Sequence, residues 1–383
     1  MIKKKLIRIT TVPISLEKLL SGQLNFMKSF YDVIAISSEK ANLLKYGESE
    51  SLETFHVEMT RKITPFKDFL AMVKLYFYFK KQKPFIVHTH TPKAGLVGMI
   101  AAKLARVPNR LHTVAGLPLL ETIGLKRKIL NFVERLTYFC ATKVYPNSYG
   151  LSDIILSNKF CSPSKIKILA NGSSNGIDTT YFDSIHFNND FKTNLKNEYE
   201  IQENDFVFIF VGRIVADKGI NELIEAFSDI SILYSNVKLL LVGPFEQELN
   251  ALNFETMETI KNNKNIIHTG YQNDVRPYFA ISDCLIFPSY REGFPNVVMQ
   301  AGAMNLPCIV TNINGCNEII IQKKNGIIIP VKDKIAIFEA MKDIFLNNDF
   351  KNLLKNNARL MITSRYEQKL VWESILKEYN ALN

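Results

Sequence analysis

Residues 206–219 read Phe-Val-Phe-Ile-Phe-Val-Gly-Arg-Ile-Val-Ala-Asp-Lys-Gly, and they predict a buried strand followed by a tight turn. A short run of apolar residues is typical of a parallel strand that is covered on both faces. Gly212 allows a sharp turn where the strand ends, and a helix-like segment begins at Asn221. The stretch therefore predicts one βα unit of an α/β domain.

The same alternation of short apolar runs and amphipathic segments continues in both directions along the chain. This rhythm predicts right-handed βαβ units and parallel sheets. The chain has 383 residues, which is enough for two such domains. The other predicted strands are Leu6–Val12, Tyr31–Ile36, Phe85–Thr89, Arg110–Val114, Lys143–Tyr145, Ile166–Leu169, Val237–Val242, Ile266–His268, Cys284–Phe287 and Pro307–Val310.

A polar, asparagine-rich stretch at 184–204 interrupts the alternation, and we interpret it as the linker region between the domains. The predicted fold class is α/β, with two doubly wound, Rossmann-like parallel-sheet domains facing a central cleft. Residues 1–183 form the first domain and residues 205–365 the second, with a final helix at 366–383. In such sheets ligands bind at the carboxyl ends of the strands.

Charge is distributed unevenly between the two halves of the chain. Residues 1–183 hold 27 Lys and Arg against 13 Asp and Glu, whereas the remainder holds 20 against 24. A basic domain suggests a polyanionic partner, either nucleic acid or an anionic membrane surface. The alternative is that the charge only keeps the domain in solution. Because no known nucleic-acid motif is present, we expect no nucleic-acid partner.

The cysteine pattern and the lack of a recognisable targeting signal favour a reducing compartment. The five cysteines are odd in number and form no C-x-x-C pair, which argues against a disulfide framework or a structural zinc site. We find no signal peptide and no apolar run long enough to span a bilayer. The expected location is cytoplasmic, either soluble or peripheral on a membrane.

Residues 61–83 form a basic, aromatic segment with seven basic residues and one acid. A helix of this composition can lie in an anionic membrane interface. The alternative is an ordinary surface helix that packs Phe69, Met72, Val73 and Phe77 on its own sheet, and it accounts for most of the apolar positions. The basic flanks still favour membrane contact.

Two cations follow the strand at 206–211. Arg213 and Lys218 flank the start of the next helix, where free backbone amides and positive side chains together can bind a diphosphate. The spacing matches neither a dinucleotide fingerprint nor a P-loop. A turn with solvated charges is the structural alternative.

A second polar loop follows the predicted strand at Cys284–Phe287. Glu292 and Gly293 lie in this loop, and a helix starts near Pro295 and Asn296. A carboxylate here can accept hydrogen bonds from sugar hydroxyls, although Glu292 could equally cap the helix.

The Gly-Arg and Lys-Gly pair at 212–219, followed by Glu-Gly-Phe-Pro at 292–295, resembles the retaining GT-B glycosyltransferases of family 4. Within that family the chain is similar to bacterial capsule and O-antigen enzymes. The resemblance covers the whole chain and includes Val-His-Thr-His-Thr-Pro-Lys-Ala-Gly at 87–95, Tyr-Pro-Asn-Ser at 145–148 and Ser-Ser-Asn-Gly-Ile-Asp at 173–178.

The resemblance implies a catalytic group of Arg213, Lys218 and Glu292. The two cations would hold the donor diphosphate and stabilise the charge on the leaving nucleotide. Glu292 would orient the donor sugar. The implied donor-binding residues are Gly22, Gly212, Tyr271, Gln272, Gly293, Phe294, Pro295 and Gln300, with Tyr271 and Gln272 beside a base expected to be uracil.

The resemblance also implies no metal, no cofactor and a final helix that crosses back to the first domain. The sequence contains no D-x-D arrangement. His88 and His90 share one strand face, but no third metal ligand is apparent.

The sequence departs from the family pattern at two positions. Gln300 stands where the family has a second glutamate that binds ribose, and an amide still offers hydrogen bonds. Ala115 stands where many relatives have a histidine close to the reacting sugar. We expect another acceptor-side group to take that role, and the candidates are His90, Lys93, His112 and Glu121.

The expected function is transfer of a sugar from a UDP-sugar to an undecaprenyl-diphosphate-linked saccharide at the inner face of a bacterial membrane. Two alternatives stay open at this point. One is a UDP-sugar epimerase of the same architecture. The other is an inactive scaffold that binds nucleotide sugars, for which Ala115 and Gln300 are the best support.

Overall fold

The computed structural model describes residues 3–60, 62–117, 119, 122–246, 248 and 250–382. The chain folds into two compact units. The first contains the residues up to Gly176 together with those from Gln368 onward, and the second contains Ile177–Glu367.

The first unit is a six-stranded parallel sheet with helices on both faces. Its strands are β1 (Lys5–Ile9), β2 (Asp32–Ser37), β3 (Glu53–His56), β4 (Ile86–His90), β5 (Asn109–Val114) and β6 (Lys143–Pro146), in the order β3-β2-β1-β4-β5-β6. Its helices are α1 (Pro13–Leu19), α2 (Gln23–Lys28), α3 (Lys40–Glu50), α4 (Pro65–Gln82), α5 (Pro92–Leu104), α6 (Gly124–Cys140), α7 (Tyr149–Ser157) and, from the end of the chain, α16 (Gln368–Asn380).

The second unit repeats this architecture. Its strands are β7 (Phe206–Val211), β8 (Val237–Val242), β9 (Ile266–Gly270), β10 (Cys284–Phe287), β11 (Cys308–Thr311) and β12 (Gly326–Ile329), in the order β12-β11-β10-β7-β8-β9. Its helices are α8 (Asn189–Glu198), α9 (Ile220–Leu233), α10 (Phe254–Asn262), α11 (Arg276–Ala280), α12 (Asn296–Ala303), α13 (Cys316–Ile319), α14 (Lys334–Leu346) and α15 (Asn348–Tyr366).

The strand β7 is buried along its whole length at the centre of the second sheet. All six residues of Phe206–Val211 are buried, because β7 lies between β8 and β10 and helices cover both faces. Each buried phenylalanine or isoleucine removes apolar surface worth about 1.5–3 kcal/mol from water. The prediction of two doubly wound α/β sheets is confirmed.

The strand order reverses at one place in each sheet. These points lie between β1 and β4 in the first unit and between β7 and β10 in the second. The connections that leave the two strands at a reversal point run to opposite faces of the sheet. A crevice therefore opens between them at the carboxyl ends of the strands. The loops that follow these four strands therefore hold the best-placed candidate residues.

The helix α16 packs on the first unit, although it lies at the end of the chain. Val371, Ile375 and Tyr379 are buried in the same apolar cluster as Leu6 of β1 and Leu24 of α2. The apolar face of α16 thus packs on the first unit.

The structure differs from the sequence predictions in four segments. Ile166–Leu169 is not a strand, because only Ile166 bridges to β6, through Val144. The short edge strands β3 and β12 were not predicted. The division between the units lies at residues 176 and 177, and residues 184–204 belong to the second unit, where Asn188 caps α8 by accepting from the amide of Phe191 at 2.8 Å.

Candidate active site

The loop after β7 begins with a close backbone contact to the loop after β8. Gly212 donates its amide to the carbonyl of Val242 at 2.9 Å, and Gly243 lies directly opposite. A Cβ atom on Gly243 would lie 1.8 Å from the carbonyl oxygen of Gly212, so only glycine fits there. Arg213 follows this contact, and its guanidinium lies 3.3 Å from the carboxylate of Glu246. The paired glycines thus place Arg213 at the carboxyl edge of the sheet.

Lys218 ends a short 3-10 helix, Ala216–Lys218, that leads into α9. Gly219 follows with φ of 71° and caps the N-terminus of α9. A Cβ atom on Gly219 would lie 2.2 Å from the carbonyl oxygen of Pro288, in the loop after β10. Glycine therefore allows the loops after β7 and β10 to touch at the reversal point.

This contact brings Lys218 and Glu292 together as an ion pair. Their side chains are 14% and 20% exposed, so the pair is partly shielded from water while still reachable. Ser289 also donates to Glu292, with 3.3 Å between the hydroxyl and carboxylate oxygens. Two of the three predicted catalytic residues thus lie in contact.

Further polar contacts clamp the loop after β10 to the loop after β7. The amide of Tyr290 donates to the carbonyl of Asp217 at 3.0 Å, and Arg291 lies 2.8 Å from the Asp217 carboxylate. The Tyr290 hydroxyl lies 2.6 and 2.7 Å from the two carboxylate oxygens of Glu222. These contacts fix the backbone that carries Glu292.

The start of α12 lies next to this loop. Pro295 is the N-cap residue of α12, and Gly315 lies so close that a Cβ atom there would be 2.7 Å from the Gly293 carbonyl. Phe294 is buried and packs edge-on against Tyr366. In the described part of the chain, the amides of Gly293 and Phe294 donate to no protein acceptor. Gln300 lies half-buried on α12.

Tyr271 and Gln272 lie just beyond β9 in the second unit. The Tyr271 ring is 64% exposed, which suits a surface for a planar base. Gln272 donates from its side-chain amide to the carbonyl of Thr269 at 2.8 Å, and this bond fixes the turn.

In the first unit the predicted residue Gly22 lies between α1 and α2 with φ of 71°. The ring of Trp372 on α16 packs over it, 2.8 Å from the position of a Cβ atom. The Trp372 indole donates to Asn175 at 2.7 Å, and Asn175 in turn donates to the carbonyl of Ser21 at 2.9 Å. The C-terminal helix therefore supports the Gly22 turn.

His90 is buried at the carboxyl end of β4, beside a buried arginine. The Arg8 guanidinium lies 2.8 Å from Nε2 of His90 and also donates to Gln23 at 2.6 Å and Tyr379 at 2.7 Å. A guanidinium can only donate, so Nε2 of His90 accepts and its proton lies on Nδ1. Among the described residues, Nδ1 has no partner.

Burial shifts the titration of the histidines in this unit. It lowers the pKa of His88 and His90 well below the usual value, and the Arg8 charge lowers both further. Both imidazoles are therefore neutral near pH 7. None of the described hydrogen-bond partners of Arg8 is a carboxylate.

The remaining acceptor-side predictions have different outcomes. Lys93 forms an ion pair with Asp68, and its side chain is 11% exposed. His112 is buried beneath α5, where its Nδ1 lies 2.8 Å from the Thr89 hydroxyl and its ring fills the space beside Gly95. His112 is thus buried about as deeply as His90, and a direct contact between His112 and the acceptor stays a prediction. Glu121 lies outside the described residues.

Sequence reasoning missed the residues that support the site. A charged residue, Arg8, within the apolar strand β1 was the available signal for the buried network of the first unit. Asp217, Glu222 and Glu246 gave no such signal, because only folding brings them to Arg291, Tyr290 and Arg213.

Two family models match the chain. Residues 191–361 match the model of the group 1 glycosyl transferases, and residues 18–148 match the glycosyl transferase 4-like model. The chain is 34% identical over 380 residues to the capsular polysaccharide biosynthesis glycosyltransferase CapM of Staphylococcus aureus, covering 98% of this chain and 97% of the relative. The chain therefore belongs to the GT-B glycosyltransferases of family 4.

Two further proteins are similar to this chain, one in sequence and one in structure. One is the UDP-Gal:alpha-D-GlcNAc-diphosphoundecaprenol alpha-1,3-galactosyltransferase of Escherichia coli, 29% identical over 342 residues, with 88% of this chain and 85% of the relative covered. The other is the crystal structure of a glycosyltransferase from Rickettsia africae, with a TM-score of 0.82 and 21% identity over 99% of this chain and 98% of that chain. The second comparison concerns the fold alone.

Proposed function

We propose that this glycosyltransferase moves a sugar from a UDP-sugar to a saccharide carried on undecaprenyl diphosphate, with retention of configuration and without a metal ion. The observation that carries the proposal is the contact of Lys218 with Glu292 at the reversal point between β7 and β10, with Arg213 in the same loop as Lys218. A cation and a carboxylate at the carboxyl edge suit a ligand that joins a diphosphate to a sugar.

Each cation of this group already has a carboxylate partner. Glu246 holds Arg213 and Glu292 holds Lys218, so both positive charges are in place before a donor binds. We infer that the donor diphosphate replaces the two carboxylates as the partner of Arg213 and Lys218. The carboxylate of Glu292 then accepts hydrogen bonds from sugar hydroxyls. Charge that develops on the leaving UDP would be stabilised without reorganisation of the loop, which is the basis of electrostatic catalysis.

The rest of the donor would follow the edge of the second sheet. The amides of Gly293 and Phe294 suit oxygen atoms of the sugar or the phosphate, and the exposed ring of Tyr271 suits the uracil base. Gln300 remains the candidate for the ribose hydroxyls. These assignments are the roles that the family resemblance implies.

The acceptor proposal rests on the names of relatives. The Escherichia coli relative is named for a UDP-Gal donor, a diphosphoundecaprenol-linked acceptor and an α-1,3 product. A Campylobacter jejuni relative, 23% identical over 321 residues, is also named for a diphospho-undecaprenol acceptor. We propose the same acceptor class for this chain, in bacterial surface polysaccharide synthesis, with the enzyme acting at the inner membrane face.

Nucleotide binding tests the donor half of the proposal. We would measure the melting temperature of the purified chain with UDP, GDP, ADP and CMP, for the wild type, Arg213→Ala and Lys218→Ala. Lys324→Ala, an exposed lysine of the same unit, is the matched control. We expect stabilisation by UDP that both site variants lose and the control keeps. Stabilisation by none of the nucleotides would contradict the donor site.

Turnover tests the acceptor half. We expect release of UDP from a UDP-sugar only when a prenyl-diphosphate-linked saccharide is present, equal turnover with EDTA, and an α-linked product from an α-linked donor by NMR. Conversion of the UDP-sugar to its epimer without an acceptor would favour the epimerase alternative. UDP binding without turnover on any acceptor would favour the scaffold alternative.

A further inference from the structure

The outward face of α6 carries a stripe of exposed apolar residues. Leu125, Ile129, Phe132 and Phe139 are 74%, 44%, 65% and 65% exposed. Their spacings of four, three and seven residues place all four on one side of the helix. Large apolar side chains grouped in this way mark a contact surface.

The opposite side of α6 already packs on the first unit. Thr137, Tyr138 and Cys140 are buried, and Glu134 lies on the same inward side. The Lys103 ammonium of α5 lies 3.3 Å from the centroid of the Phe139 ring, and the inward residues hold α6 in place without the rest of the stripe.

A second exposed apolar row lies on α4. Phe66, Phe69, Leu70 and Phe77 are each more than half exposed. The helices α4, α5 and α6 contribute to one apolar cluster and cover the same side of the first sheet, with α5 contacting both of the others. We call these four residues, with Leu125, Ile129, Phe132 and Phe139, the docking face.

The charges around the docking face have one sign. Lys126 and Lys128 lie exposed beside the α6 stripe, and Lys67 and Lys74 lie exposed on α4. Of the two acids on these helices, Glu134 is buried and Asp68 is paired with Lys93. The described outer surface of α4 and α6 is thus apolar and basic, without an exposed acid.

The combination of apolar and basic residues suits an anionic bilayer better than a second copy of the chain. A second copy of the chain would bring an equally basic face into contact and would repel, since like charges would meet. An anionic bilayer offers apolar chains to the stripe and negative headgroups to the lysines. No described helix of the second unit, by contrast, carries more than two such exposed residues, as with Ile232 and Leu233 on α9 and Leu353 and Leu360 on α15.

We propose that the docking face is the surface by which this enzyme lies on an anionic lipid bilayer, with α6 as the principal contact. This assignment deepens the proposed function, on which it rests, by naming the surface that meets the membrane. It extends the contact beyond residues 61–83 to a helix that the sequence did not single out. Among the described residues no helix is both long and apolar enough to cross a bilayer.

Vesicle flotation of the full chain tests the proposal. The probes are vesicles of phosphatidylcholine alone and of phosphatidylcholine with phosphatidylglycerol. We expect the wild type to float only with the anionic vesicles and to be released by salt. Leu125→Ser with Ile129→Ser and Phe132→Ser should lower the partition coefficient roughly 100-fold or more. Lys126→Ala with Lys128→Ala should lower it roughly 30-fold.

Matched variants on the second unit serve as controls. Ile232→Ser with Leu233→Ser removes equally exposed apolar residues, and Lys323→Ala with Lys324→Ala removes two exposed lysines. Both should bind vesicles as the wild type does. Wild-type binding by the α6 variants, or a wild-type dimer in light scattering that these variants convert to a monomer, would overturn the proposal.

Failure of docking and failure of the proposed function give different results. If the docking proposal holds, the α6 serine variants lose turnover on an acceptor embedded in vesicles but keep it on a water-soluble, short-prenyl acceptor. Full turnover of these variants on both acceptors contradicts the docking face alone. Absence of wild-type turnover on either acceptor contradicts the proposed function, whatever the vesicles show.

Discussion

The ammonium group of Lys218 contacts the carboxylate of Glu292 across 74 residues of sequence. The pair joins the loops that follow the two strands at the reversal point of the second sheet. Each residue thus orients the other, and neither position is set by its own loop alone.

The Lys218 and Glu292 pair should show measurable coupling. We expect Lys218→Met and Glu292→Gln each to lower the free energy of unfolding. The sum of these two losses should exceed the loss in the double variant by about 1–2 kcal/mol, which is the coupling energy expected for a partly exposed pair. Urea unfolding followed by circular dichroism, without nucleotide, measures the cycle. Additive effects of the two substitutions would mean that the pair contributes nothing to stability. Each single variant should also lose roughly 100-fold or more in kcat.

Gly219 should be intolerant of any side chain. Gly219→Ala forces an alanine to φ of 71° and places its Cβ atom 2.2 Å from the Pro288 carbonyl, so the two loops must separate. We expect a loss of about 3 kcal/mol or more of unfolding free energy. Gly270→Ala is the matched control, because Gly270 has φ of 70° but no heavy atom within 4 Å of the added Cβ. It should cost only about 1–2 kcal/mol. Equal losses in thermal or urea unfolding would show that strain, not the loop contact, determines the cost.

Arg8 should be required for the stability of the first unit. Arg8→Met removes the donor that Gln23, His90 and Tyr379 share and leaves buried polar groups unpaired. We expect a loss of about 2–4 kcal/mol. The single tryptophan of the chain, Trp372, lies on α16 of this unit, so its fluorescence reports the unfolding directly. The exposed Arg106→Met is the control, and an unchanged urea midpoint for Arg8→Met would contradict the prediction.

Glu134 should make the stability of the first unit depend on pH. Burial on the inward side of α6 raises the pKa of Glu134 to about 7, from 4.5 in the unfolded chain. The folded state then binds the Glu134 proton more tightly than the unfolded chain does. The contribution of Glu134 to stability is therefore complete below about pH 4.5. That contribution falls as the pH rises to about 7 and is constant above it.

Comparison with Glu134→Gln isolates this effect from the buried histidines. The variant should match the wild type near pH 4 and exceed it by about 3 kcal/mol near pH 8, as measured by Trp372 fluorescence in urea. Glu17→Gln, an exposed acid of the same unit, should follow the wild type throughout. A variant that tracks the wild type at every pH would show that Glu134 is not held protonated.

Local sequence predicted the central strands and the edge strands β6 and β9, but it missed the edge strands β3 and β12. Phe206–Val211 and Val237–Val242 are continuous apolar runs, and strands buried on both faces are recognisable from such runs alone. β3 and β12 have four residues each and lie at the sheet edges, where one flank lacks a neighbour. Their formation depends on pairing with β2 and β11, which no local pattern encodes.

The sequence by itself determined the alternation of strands and helices, the two doubly wound sheets and the positions of Arg213, Lys218 and Glu292 just after buried strands. Periodicity and loop chemistry are local properties, so they can be read along the chain. Only the tertiary structure decided that Lys218 pairs with Glu292, that His112 is buried beneath α5 while Arg8 locks His90, and that α6 turns an apolar, basic face outward. The physical reason is that burial and ion pairing depend on the packing of segments that are distant in sequence, and packing exists only in the folded chain.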